Sequence, residues 1–176
     1  VEEQIKQLGQ THVKLQNATS NLTHALKSSS ARGQWGELQR RRVVELAGMK
    51  KHVDYDEQVS TDEGRPDMIV YLPNGGFLPI DSKAPMLAYF EAVEATDEKI
   101  QAAKFLDHAK AMRSRAIELA KKQYWQQFDP SPEFVIMFVP NEASLSVAFE
   151  NAPELLEEML SKKVLIATPV TLVALL

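Results

Sequence analysis

Cysteine is absent from the 176 residues, which excludes disulfides, thiol catalysis and cysteine-bound zinc and suits a reducing compartment. Histidine is scarce: His12, His24, His52 and His108 show no clustered ligand spacing, so a histidine-bound transition metal is not expected. No apolar run is long enough to span a bilayer, and no signal peptide is visible after Val1. The expectation is therefore a cytoplasmic protein without a membrane segment. Surplus basic charge is missing too. With a net charge of −4, bulk attraction is not what would hold this chain to a nucleic acid. What remains, 44% hydrophobic and 25% charged residues, is the composition of an ordinary globular domain large enough for a real core.

Residues 1–30 read as the end of a coiled-coil helix. Ile5, Leu8, His12, Leu15, Thr19, Leu22 and Leu26 recur three and four apart as a heptad seam, and a serine run at Ser28–Ser30 breaks it. Such a seam offers a route to a homo-oligomer. A second helix is expected from about Gly33 to Ala47, stopped by Gly48, with Trp35, Leu38 and Leu46 on its apolar stripe. Strands follow at about Val53–Ser60, Met68–Leu72 and Phe77–Lys83, the last two joined through Pro73-Asn74-Gly75-Gly76. A short helix over Met86–Ala95 leads to a long one, capped by Thr96 and reaching about Gln127, with Ile100, Ala103, Leu106, Ala116, Ala120 and Tyr124 on its buried side. A buried strand at Phe134–Val139, a helix at Ala143–Leu160, a strand at Val164–Ala167 and the start of a helix cut off at Leu176 complete the pattern. The adjacent hairpin and the later strand–helix–strand crossover give an α/β fold: one mixed central sheet flanked by helices.

Positive charge is concentrated between Lys99 and Lys122, where seven Lys or Arg stand against Asp107 and Glu118. Lys104, His108 and Arg115 share a helical face, with Lys110 and Arg113 on neighbouring positions, and these five are the candidate DNA-phosphate contacts. A solvated helix face is the competing reading. Tyr124 and Trp125 could stack on bases or pack in the core. Gln58 could orient a water or simply meet solvent at the surface.

The chemistry-bearing stretch is Pro66-Asp67, the hairpin, and Asp81-Ser82-Lys83. Two carboxylates and a lysine at the ends of paired strands offer a hard oxygen site for Mg²⁺ (or Mn²⁺) with a cation beside it, the parts that phosphodiester hydrolysis requires. Turn length decides whether they meet. A two-residue Asn74-Gly75 loop pairs Met68 with Asp81 and turns Asp67 away. A three-residue Asn74-Gly75-Gly76 loop pairs Asp67 with Lys83 and Ile69 with Asp81, so that all three polar residues share one face. The three-residue loop is the expectation. Against it stand a turn role for Asp67 and a surface ion pair between Asp81 and Lys83.

Pro66-Asp67 followed by Asp81-Ser82-Lys83 resembles the PD-(D/E)xK signature of the restriction-endonuclease-like superfamily. More specifically, Gly33-Gln34-Trp35-Gly36-Glu37, Gly64-Arg65-Pro66-Asp67, Ile80-Asp81-Ser82-Lys83, Phe134-Val135-Ile136-Met137-Phe138-Val139-Pro140 and Ala167-Thr168-Pro169-Val170-Thr171-Leu172 resemble, in order, blocks of the RmuC family of DNA recombination proteins. The resemblance implies a restriction-endonuclease-like core over residues 31–176, ending early in its last helix and preceded by the coiled-coil helix. It implies Asp67 and Asp81 as metal-binding acids, Lys83 as catalytic lysine, and Glu37 as a further metal or water ligand on the first core helix. Bottom-up, Glu37 is merely positioned for helical ion pairs with Arg40 and Arg41. The implied role is Mg²⁺-dependent cleavage of DNA, branched or hairpin DNA included, with restraint of rearrangements at inverted repeats. The alternative is a DNA-binding or scaffold protein that keeps the nuclease fold without cutting.

Overall fold

The computed structural model describes residues 28–58, 65–82, 85–127 and 132–176. The coiled-coil seam over residues 1–27 and Lys83 lie outside the described residues. Five strands, β1 (Tyr55–Glu57), β2 (Met68–Tyr71), β3 (Phe77–Asp81), β4 (Val135–Phe138) and β5 (Val164–Ala167), form one sheet in the order of the chain. The first three pair antiparallel; β3, β4 and β5 are parallel. Six α-helices accompany them among the described residues: α1 (Ser29–Leu46), α2 (Leu87–Glu94), α3 (Glu98–Lys121), α4 (Glu142–Asn151), α5 (Leu155–Ser161) and α6 (Pro169–Leu175). The α/β reading with a mixed sheet is the observed architecture.

Strand alternation divides the core in two. Val135 and Met137 of β4 face a cluster with Met112, Ala116 and Leu119 of α3, Ala148 of α4 and Met159 of α5. Ile136 and Phe138 face the other way, with Val43 and Val44 of α1, Met68 of β2, Ile80 of β3 and Leu172 of α6. β4, buried on both faces, is the continuous apolar run a central parallel strand requires. Side chains such as Ile80, Ile136 and Leu119, fully excluded from water, each contribute about 1.5–3 kcal/mol relative to exposure.

Several boundaries differ from expectation, each for a local reason. α1 starts four residues before Gly33, because the Ser28 side chain caps it by accepting from the Ala31 N–H at 3.2 Å. Its buried face is Gly36, Arg40, Val43 and Val44, while Leu38 and Leu46 are exposed. Gly48 does stop it, at φ +83°. Asp97, not Thr96, caps α3, accepting from the N–H groups of Lys99 and Ile100. The buried side of α3 is His108, Ala109, Met112, Ala116 and Leu119; Ile100 and Leu106 are exposed. α3 ends at Lys121, and Tyr124–Gln127 is a separate 3₁₀ turn. The single helix expected over Ala143–Leu160 is two, because Pro153 pushes Ala152 out of the helical region to φ −150°, ψ 78°.

The β2–β3 turn has three residues, but they are Pro73-Asn74-Gly75 rather than Asn74-Gly75-Gly76. Leu72 N–H donates to Gly76 C=O at 2.7 Å, and Gly75 takes the positive φ of +83°. Met68 therefore pairs with Ile80 and Ile69 with Pro79, not with Asp81. The parity is the expected one, shifted by one pair. Continuing the ladder sets Asp67 opposite Asp81, where Lys83 was expected.

Candidate active site at the strand ends

Asp81 closes β3 on the face that α3 covers, beside Met137 of β4. It is 1% exposed, and a carboxylate so placed needs compensating charge. Arg115 of α3 supplies it, with Nη2 3.1 Å from Oδ1, and the Lys122 ammonium lies 3.5 Å from Oδ2. Lys122 also donates to the Tyr124 hydroxyl at 2.9 Å.

Asp67 takes another direction. It stands in a bend just before β2, so strand alternation does not bind its side chain. Its Oδ2 accepts from the Ser82 N–H at 2.8 Å and lies 3.5 Å from Arg40 Nη1. The two acids expected to share a face thus engage different helices, Asp81 with α3 and Asp67 with α1. The ladder parity alone would bring them together; the bend and the buried arginine turn them apart.

Arg40 organises this end of the molecule. It is 1% exposed, donates to Ser82 Oγ at 2.6 Å, and sits 3.6 Å from Glu57 Oε1 at the end of β1; its Nε is buried without a partner. Burial pushes Glu57 upward, but hydrogen bonds from Lys51 and Arg41 outweigh it and hold the carboxyl below its usual range. Arg40 was not singled out from sequence. Its signal was there, since Gly36, Arg40, Val43 and Val44 fall on one helical face. Gly36 sits where a Cβ would come 3.5 Å from the Ser82 carbonyl oxygen, whereas Gly33 has nothing within 4 Å.

Glu37 is exposed and does not form the anticipated helical pairs, because Arg40 turns to Ser82 and Asp67 and Arg41 binds Glu57 at 2.9 Å. Instead, Glu37 and Asp67 line one cavity of about 190 Å³ with Arg32, Ser82, Trp35 and Pro140. Asp81 does not line it. No group of three acids or histidines among the described residues is arranged to hold a metal ion.

The candidate phosphate contacts on α3 are already engaged. Lys104 binds Glu91, Lys110 lies 3.8 Å from Asp107, and Arg113 binds Glu154 and, at 2.7 Å, Glu158. Arg115 bridges Asp81 and Glu118. His108 is fully buried, its Nδ1 3.1 Å from the Pro85 carbonyl and its Nε2 3.0 Å from that of Ser144. A phosphate cannot reach it there: α3 points this face at α2 and α4, not at solvent. Tyr124 and Trp125 are buried in the core. Gln58 lies at φ +55° and accepts from Arg65 at both its backbone and side-chain oxygens.

The sequence matches the RmuC family over residues 1–176. The chain belongs to the RmuC family. Among curated RmuC relatives, a DNA recombination protein RmuC homolog of Chlamydia pneumoniae is 42% identical over 100% of this chain and 42% of its own length. Another, from Zymomonas mobilis, is 42% identical over 94% of this chain and 38% of its own. The DNA recombination protein RmuC of Escherichia coli K12 is 32% identical over 96% of this chain and 37% of its own. The chain thus spans about two fifths of the length of the RmuC relatives it matches. No solved structure matches it. No described helix is long and apolar enough to cross a membrane.

Proposed function

We propose that this domain acts on DNA in recombination and hydrolyses phosphodiester bonds with a divalent metal at the cavity beneath α1. The observation that carries this reading is that Glu37 of α1 and Asp67 before β2, thirty residues apart in sequence, line one cavity with Ser82. The names of the curated relatives supply the recombination context. The run of α1, the β1–β2–β3 meander, helices and parallel β4 is the order that a restriction-endonuclease-like core would show.

Two carboxylates suit Mg²⁺ or Mn²⁺ when phosphate and water oxygens complete the shell, the usual arrangement for an ion that keeps several waters. A bound ion would supply charge neutralisation and a more acidic water. The chain's own residues do the rest. Glu37 and Asp67 present oxygens to the cavity. The Ser82 N–H and Arg40 fix the rotamer of Asp67. Asp81, neutralised by Arg115 and Lys122, anchors the end of β3 in this arrangement, and Lys83 directly follows Ser82 as the cation that the family resemblance makes catalytic. DNA with branches or hairpins is the proposed substrate, and the heptad seam the proposed route to a homo-oligomer.

A second reading, a DNA-binding protein that does not cut, draws support from Asp81, whose carboxylate is held by two cations rather than left for a metal. Branched, hairpin and linear DNA incubated with the full-length protein and Mg²⁺ or Mn²⁺ separates the two. Nuclease function predicts cleavage by wild type, lost in Asp67→Asn and Lys83→Ala. Binding without cleavage supports the second reading. Equal cleavage by the variants refutes the site.

A further inference from the structure

The ion pairs on α3 leave its last turn conspicuous. Lys121 is exposed, and no Asp or Glu among the described residues pairs with it. It lines, with Lys162 and Lys163 from the end of α5, a second cavity of about 400 Å³ that also takes in Gln123, Gln126 and Trp125. Among the described residues, no acid lines this cavity. Glu133 holds the Lys163 ammonium from outside it, while Lys162, like Lys121, has no acidic partner among the described residues.

The sheet sets its location. Ser82 and Pro140, which line the first cavity, follow the C-terminal ends of β3 and β4, whereas Lys163 precedes the N-terminus of β5. Because β3, β4 and β5 are parallel, the two cavities lie toward opposite ends of the sheet. We infer that the Lys121–Lys162–Lys163 cavity is a second contact for the phosphodiester backbone of the DNA, separate from the cavity that holds Glu37 and Asp67. This rests on the proposal that the domain acts on DNA.

Lysine ammoniums recognise phosphate as point charges, without the planar fork that base or carboxylate recognition exploits. Gln123 and Gln126 add neutral amide donors, and Trp125, 8% exposed, forms a wall rather than a stacking platform. The lysines also stand at the C-terminal ends of α3 and α5, each equivalent to at most about half a negative charge. Three ammoniums exceed that charge even with Glu133 engaged. The contact is therefore sequence-independent and sensitive to salt.

The test uses the full-length protein and a fluorescein-labelled linear duplex, with anisotropy titrations over a salt series without divalent metal, so that cleavage plays no part. Lys121→Gln/Lys162→Gln is compared with Lys50→Gln/Lys99→Gln, which removes the same charge from exposed positions away from the cavity; thermal melts verify that all variants fold. Losing two phosphate contacts lowers the slope of log affinity against log salt by about 1.8, a loss of tens of fold near 0.1 M salt. The control pair stays within about threefold of wild type. If wild type binds DNA and the cavity pair matches the control pair, the site is overturned and the DNA-acting reading stands. If wild type binds no DNA, both fall.

Discussion

Replacing Arg40 by methionine tests the description of the strand ends most directly. Methionine retains much of the side-chain volume and removes the guanidinium that touches Ser82 Oγ, Asp67 and Glu57. Removing one partner of a buried ion pair typically costs about 3–5 kcal/mol. Three features reduce that here. Glu57 keeps Arg41 and Lys51; Asp67 keeps the Ser82 N–H and is 18% exposed; and the substitution removes a buried Nε that has no partner. A loss of about 2–3 kcal/mol follows, which at a urea slope of about 2 kcal/mol/M lowers the unfolding midpoint by about 1–1.5 M. The Asp67→Asn single variant and the double variant complete a thermodynamic cycle, with a coupling of about 1 kcal/mol or more between two residues in direct contact. A midpoint within about 0.3 M of wild type, or strictly additive effects, would refute the view that Arg40 holds Asp67 in place.

Other expectations concern pH and backbone. Burial pushes the His108 imidazole below its ordinary value, against the two carbonyls that favour the protonated ring. The folded state therefore keeps His108 neutral where the unfolded chain takes up a proton, so its contribution to stability is complete above about pH 6.5 and is lost as the pH falls toward the depressed value, with a slope of at most about 1.4 kcal/mol per pH unit. Urea titrations between pH 7.5 and 5 should show this decline and show it flattened in His108→Gln; a rise in stability on acidification would reverse the assignment. Glycine substitutions should split by sign. Gly48→Ala meets no atom within 4 Å but must hold φ near +83°, costing about 1–2 kcal/mol. Gly33→Ala, inside α1 with the same open space, should gain about 0.5–1 kcal/mol. Thermal melts of the two variants, shifted in opposite directions by a few degrees, check the pair.

The parts of the fold built from short apolar strands were the most legible from sequence. Phe134–Val139 read as a buried strand because its apolar run is short, continuous and flanked by Pro132 and Pro140, and Val164–Ala167 read as a second apolar strand; β4 and β5 occupy them. The long helix was legible in its presence, but neither its end nor its orientation was. Its buried side includes His108 and Met112, while Ile100 and Leu106 face outward, because the packing of α2 and α4 decides which stripe is covered. At the site, sequence led to Asp67 and Asp81 but not to their directions. Those depend on Arg40, Arg115 and Lys122, which approach from two helices distant in sequence. A basic stripe is likewise visible as composition, yet whether each lysine or arginine finds an acid is settled by tertiary neighbours such as Glu91 for Lys104 and Glu154 for Arg113.

The order β1-β2-β3-β4-β5 in space repeats the order in the chain. For a polypeptide delivered from its N-terminus, each strand meets a neighbour that has already emerged, and no gap in the sheet has to be held open for a later arrival. The meander of β1, β2 and β3 closes over connections far shorter than the one to β4, whose docking must await α2 and α3. Asp81 is consequently made before the cations that neutralise it: Arg115 and Lys122 lie 34 and 41 residues downstream. The carboxylate that closes β3 therefore gains its Arg115 and Lys122 partners only when α3 packs on the sheet, so this charge pairing ties the end of the hairpin to the helix that follows it.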